Sequence, residues 1–150
     1  MKNREGVLDR ALVAKASTTI AAPVAKVWRA LVTPEDIKKY MFGATVVSDW
    51  KEGAPISWKG EWKGKRYEDK GQIVRMEPER LLSYTHFSPL SGLPERPENY
   101  HMVTIELADE GGGRTVVTLT QDNNPNEEAR AHSEQNWRGM LDGLKRLLEE

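Results

Sequence analysis

The sequence predicts an α+β fold in which a curved antiparallel sheet of about six or seven strands wraps around one long C-terminal helix. Three observations predict it. Residues 125–149 carry a single apolar stripe at helical spacing, made of Trp137, Met140, Leu141, Leu144, Leu147 and Leu148, with Arg138, Asp142, Arg146 and Glu149 opposite. Residues 44–121 instead alternate apolar and polar, with turn residues at Glu52-Gly53, Lys63-Gly64, Glu77-Pro78 and Gly111-Gly112-Gly113. A lone helix of this composition is marginal in water, so its stripe and the apolar face of the sheet must cover each other.

Residues 1–11 are polar and are expected to be a disordered or frayed N-terminus; residues 12–150 suit a single domain. Ala14, Ala16, Thr18 and Ile20 alternate with Lys15, Ser17 and Thr19, a first strand that Ala21-Ala22-Pro23 ends. Pro23 opens a helix in which Val24, Val27, Trp28 and Leu31 share a face. Thr33-Pro34-Glu35-Asp36 restarts a second short helix, to about Tyr40, with Thr33 as its cap. In the meander, Val46 centres one strand, and Ile56, Trp58, Gly60 and Trp62 share a face of the next. The longer strand over 66–76 contains Gly71, where a bulge or bend is expected. Leu82, Tyr84 and His86 share a face, as do His101, Val103, Ile105 and Leu107, and then Val117, Leu119 and Gln121. The long helix is read with Asn124 as N-cap, Pro125 at its first position and Glu127 three residues after the cap. Its stripe continued backwards from Trp137 meets Ser133, Arg130, Ala129 and Asn126, so the trough beneath it is predicted to be dry at one end only.

Charge and composition exclude several functions. The net charge is -1, from 22 basic and 23 acidic residues that are interspersed, which leaves no basic footprint for nucleic acid or an anionic membrane. No apolar run approaches a membrane span, and the first ten residues lack the apolar centre of a signal peptide; the expected location is cytoplasmic. With no cysteine, disulfides and thiolate chemistry are ruled out, and His86, His101 and His132 are the only imidazoles.

Ile20-Ala21-Ala22-Pro23, followed by Val27-Trp28-Arg29-Ala30-Leu31-Val32-Thr33-Pro34-Glu35, resembles the opening of the START-like, or SRPBCC helix-grip, superfamily. Within it the sequence most resembles the activator of heat-shock protein 90 ATPase homologue family, of the C-terminal-domain type. Gly71-Gln72-Ile73-Val74, Glu77-Pro78-Glu79-Arg80-Leu81-Leu82, Thr104-Ile105-Glu106-Leu107 and Asn136-Trp137 with the leucines after it extend the resemblance over residues 15–149. The resemblance implies a helix-grip domain with a cavity between sheet and long helix. Such cavities are used to bind lipids, sterols, polyketides or other apolar molecules, or are adapted to protein contacts; no catalytic residue is implied.

Registering the last three strands assembles a candidate site. If Val103 pairs with Tyr84, His86 opposes His101; if Ile105 pairs with Val117, Gln121 opposes His101 from the other side. His86, His101 and Gln121 then form a polar row, overlooked by Arg130 and Ser133. Trp58, Trp62, Tyr84, Val103, Trp137 and Met140 are the expected cavity walls, with Trp28 and Phe42 as further candidates. Few polar groups in an aromatic pocket is the usual makeup of a small-molecule site. The favoured reading is a domain binding a small apolar or aromatic ligand, without cofactor or metal, since no third ligand joins His86 and His101. The alternatives are a protein-interaction module related to the co-chaperones, its interior filled, and a cyclase-like or hydrolytic enzyme using the two histidines with Arg130 stabilising negative charge. No nucleophile elbow or phosphate-binding loop supports the last. The proline-stiffened loop over 89–97 is either a lid or a connection.

Overall fold

The computed structural model describes residues 12–149, apart from the side chain of Trp62. The expected frayed N-terminus, 1–11, lies outside them. The strands are β1 (Ala14–Ile20), β2 (Thr45–Ser48), β3 (Pro55–Trp62), β4 (Lys65–Glu77), β5 (Leu81–His86), β6 (His101–Gly111) and β7 (Arg114–Gln121). They form one antiparallel sheet in the order β1-β7-β6-β5-β4-β3-β2. Helices α1 (Val24–Leu31) and α2 (Pro34–Tyr40) connect the two edge strands, and α3 (Glu127–Glu149) lies across the concave face. Ile20, Ile73, Val103, Val117 and Leu119 from the sheet and Leu141 and Leu144 from α3 are almost fully buried against one another. This is the predicted exchange of one apolar sheet face for one apolar helix stripe.

Two helix starts differ from expectation. α3 begins two residues later than its sequence signature suggests, because Asn126 is its cap: the Asn126 Oδ1 accepts the Ala129 N–H at 2.8 Å. Asn124 is instead buried and bonded to Leu12, Gln121 and Ser133. Thr33 precedes α2 as predicted, yet its hydroxyl donates back to the Arg29 carbonyl at 2.6 Å rather than accepting a bond from the helix it starts.

The end of α1 is closed by Tyr40, whose hydroxyl donates to the Ala30 carbonyl at 2.9 Å, one of the terminal carbonyls the helix cannot satisfy itself. Burial pushes the Tyr40 hydroxyl well above the usual tyrosine range, with Tyr84 and Asp36 adding to it, and burial does the same to Tyr84. Both groups therefore fold neutral. Their stabilisation is complete below the unfolded value of 10.0 and is lost as pH rises through it toward the folded values. Unfolding free energies from urea titrations are expected to drop steeply above about pH 10, by up to about 1.4 kcal/mol per pH unit and tyrosine, with the midpoints falling in step, and a Tyr40→Phe, Tyr84→Phe double variant should flatten that limb. A wild-type midpoint constant up to about pH 11 would refute this.

Candidate functional site

Strand pairing places the polar row. Tyr84 pairs with Val103 and His86 with His101, as expected. Gln121 pairs with Val103 and not with His101, because Ile105 pairs with Leu119 rather than Val117. β7 sits two residues from the simple expectation: the turn, in which Gly111, Gly112 and Gly113 all have positive φ, pairs Gly111 with Arg114, and a one-residue bulge then sets Asp109 against Thr115. A slip of two keeps every side chain on its own face. Gln121 thus becomes a diagonal neighbour of His101, with its Nε2 3.2 Å from the His101 Nδ1.

The sequence reading missed a partner for His86. The two-residue turn Lys63-Gly64 pairs Trp62 with Lys65, and counting back along the hairpin sets Tyr67 against Gly60 and Asp69 against Trp58 on the concave face. Asp69 accepts a hydrogen bond from the His86 Nε2 at 2.9 Å, while the His86 ring meets Trp58 edge-on with centroids 5.0 Å apart. A carboxylate only accepts, so the His86 Nε2 carries a proton, and in the neutral ring the lone pair is on Nδ1. The second carboxylate oxygen, Asp69 Oδ1, is buried and has no hydrogen-bond partner. On β6 the His101 Nδ1 stands 3.0 Å from the Asp122 carbonyl, an acceptor, and faces the Gln121 amide nitrogen, a donor, on its other side.

Helix α3 supplies the roof. The Trp137 Nε1–H donates to the Gln121 Oε1 at 2.6 Å, which fixes the amide orientation, and the Ser133 hydroxyl donates to the Asn124 Oδ1 at 3.1 Å. Arg130 does not overlook the row. Its guanidinium is spanned along the helix by Glu127 and Glu134, at 2.7 Å each, and these contacts raise its already high pKa. It is a helix-surface ion pair, and the role expected for it as a cavity cation does not survive.

Between sheet and helix these groups enclose a cavity of about 320 Å³. Its apolar walls are Met41, Phe42, Trp58, Tyr84, Trp137 and Met140; its polar end holds Tyr67, Asp69, His86, His101, Gln121 and Ser133, with Asn136 beside them. Val103, expected in the wall, is fully buried beneath it in the core. Trp28 packs on the core rather than on the cavity, and the Trp62 side chain is outside the described residues. Phe42, 67% exposed and with a φ of 56°, sits at the mouth. Toward the C-terminal end of α3 the trough is filled by Leu141, Leu144 and Leu148, so the helix covers a cavity at one end and a packed core at the other. No lysine or arginine lines the cavity among the described residues.

The 89–97 loop folds onto the opposite, convex face. Glu95 pairs with Lys70 at 2.6 Å and Tyr100 after it stacks on Phe87. Among the described residues no group of three or more His, Asp or Glu is placed to hold a metal ion, and no helix is long and apolar enough to cross a membrane.

The comparisons with known proteins agree with this architecture. A solution structure of the protein ChR145 from Cytophaga hutchinsonii is 60% identical in sequence, with a TM-score of 0.80 over 91% of this chain and 93% of that one. Protein CV1439 from Chromobacterium violaceum shares the fold at 21% identity, with a TM-score of 0.78 over 92% of this chain and 97% of that one. The Aha1 dimer from Colwellia psychrerythraea does so at 21% identity, with a TM-score of 0.71 over 91% and 96%. Among curated protein sequences none matches the chain. Residues 21–149 match the family described as Activator of Hsp90 ATPase homolog 1-like protein, and the chain, a helix-grip domain in sequence and in structure, belongs to that family.

Proposed function

We propose that this chain is a cytoplasmic small-molecule binding domain that holds an apolar or aromatic ligand between sheet and helix. One observation carries the reading: a cavity of about 320 Å³ whose walls are aromatic and thioether groups and whose polar groups are gathered at one end. That volume is at the lower end of the range for small-molecule sites, and apolar, aromatic walls meeting convergent polar groups are theirs too. An interaction module with a filled interior would have packed this space, as the same helix does toward its C-terminal end at Leu141, Leu144 and Leu148.

Native mass spectrometry of the purified protein and thermal melts against fatty acids, sterols, flavonoids and polyketide-like aromatics test it. A ligand at 100 times its dissociation constant should add about 2.7 kcal/mol, a rise in Tm of about 5–10 °C for a domain of this size. No adduct and no shift across the panel would move the assignment to the protein-interaction module.

A further inference from the structure

We propose, building on the small-molecule reading, that Asp69 and His86 make the cavity selective for aromatic ligands that carry an acidic hydroxyl, a phenol or an enol, and that His86 takes the hydroxyl proton. At the polar end of the cavity Asp69 and His86 place two acceptor atoms without a protein donor. Asp69 has one carboxylate oxygen on the His86 N–H and the other buried with no partner. Its side chain is only 15% exposed, so water reaches it poorly. A buried acceptor left unmatched is costly, and a donor on the ligand removes that cost. The His86 Nδ1 has no protein partner among the described residues and is the ring nitrogen left to accept.

Ligand classes separate on this arrangement. A carboxylate ligand would face Asp69 with no lysine or arginine lining the cavity among the described residues. An ammonium already holds its proton, and would oppose any proton taken up by the imidazole. A hydroxyl suits both acceptors, because it donates to the carboxylate or passes its proton to the ring. The groups facing His86 are Asp69 and Tyr67 on β4, Tyr84 on its own strand and His101 on β6, while α3 presents the uncharged Ser133, Asn136 and Trp137. In the transfer the ligand O–H bond breaks and an Nδ1–H bond forms. The phenolate then lies beside an imidazolium whose Nε2–H still donates to Asp69; nothing is oxidised or reduced. The carboxylate behind the ring holds it in place through the Nε2–H, the relation of an orienting acid to a general base.

The test uses the intact protein with 7-hydroxycoumarin and 7-methoxycoumarin, nearly equal in shape, of which only the first can donate. Its neutral and anionic forms also differ in fluorescence excitation. The expected result is binding of the hydroxyl probe about tenfold tighter or more, as befits a hydrogen bond to a charged acceptor. The bound probe should show the anion band at a pH where the free probe is neutral. His86→Gln and Asp69→Asn, each checked for folding by circular dichroism, should bring the affinity ratio of the two probes to about one and abolish the anion band. Equal affinities in the wild type, a bound probe that stays neutral, or a preference that survives both substitutions would overturn the inference while leaving the cavity a ligand site. Binding of neither probe would overturn this inference, and the small-molecule reading falls with it only if the wider panel of apolar and aromatic ligands also fails to bind.

Discussion

Gly71→Ala is expected to destabilise the domain by about 3 kcal/mol or more, lowering Tm by about 6–12 °C, at the top of the range for overpacking. An added Cβ would stand 1.7 Å from the Thr85 carbonyl oxygen, 2.6 Å from its carbon and 3.3 Å from the His86 nitrogen. All three are backbone atoms, so no rotamer change relieves the clash and β4 and β5 must part. Gly71 lies two residues after Asp69, and the atoms it would strike belong to His86 and its neighbour, so the same separation would break the 2.9 Å contact between Asp69 and His86. Loss of stability and loss of any selectivity that depends on this pair should therefore appear together. Gly64→Ala is the control: its Cβ meets nothing, and the cost there is only that of a left-handed φ of 79° in a turn, about 1 kcal/mol. Urea unfolding of both variants is the measurement; a Gly71→Ala midpoint equal to that of Gly64→Ala would refute the steric account.

Gly71 also marks where sequence reasoning stopped. A glycine in a strand announces a bend, a bulge or a close approach without saying which. Here the close approach is at Gly71, and the bulge lies between Ile73 and Arg75. The strands, their turns and their inward faces were legible because period-two alternation and glycine-bearing turns are local signals. Pairing of His86 with His101 followed from two short apolar faces. Pairing of Gln121 did not, since three consecutive glycines show that a turn exists but not that a bulge before it shifts the register.

Asp69 was hidden for another reason. In Lys65–Glu77 both faces read as polar around Asp69, so no apolar alternation pointed to the concave side. Only the hairpin count from Lys63-Gly64 could have placed it opposite Trp58. Asn123, Asn124 and Asn126 show the limit of capping rules. Each is a chemically suitable cap, and tertiary contacts decide. Asn123, at a φ of 63°, is bonded to the Glu98 and Tyr100 carbonyls, Asn124 to Leu12 and Ser133, and Asn126 alone is left for the helix. Arg130 failed for a related reason: a helical stripe gives direction, but glutamates at i-3 and i+4 hold a long side chain along the helix surface.

Leu144→Ala should cost about 3–5 kcal/mol, the upper part of the range for a buried leucine, and lower Tm by about 6–20 °C. The range reflects how far a site can collapse into the space left behind, and α3 cannot collapse here. Next to Leu144, Gly143 lies so close to α2 that an added Cβ would be 3.2 Å from the Tyr40 Cβ. The Lys145 ammonium donates to the Thr19 carbonyl at 2.6 Å, the Glu149 carboxylate accepts the Ala21 N–H at 2.8 Å, and the Lys26 ammonium donates to the Leu148 carbonyl at 3.3 Å. The helix is tied to β1, α1 and α2 on both sides of the deleted side chain, so the hole stays open and the transfer and cavity terms add in full. The cavity lined by Trp137 and Met140 is at least one helical turn away and does not include Leu144. At temperatures well below the lowered Tm, the affinity for any coumarin the wild type binds should change by less than about twofold, because these ties hold the helix in place and Met140, one turn from Leu144 in the same core cluster, keeps its place in the cavity wall. Calorimetry with parallel fluorescence titration measures both quantities on one sample. A large loss of affinity with little loss of stability would mean that the packed end of α3 and its ligand end are one cooperative unit, and that the division of the trough into a dry half and a binding half is wrong.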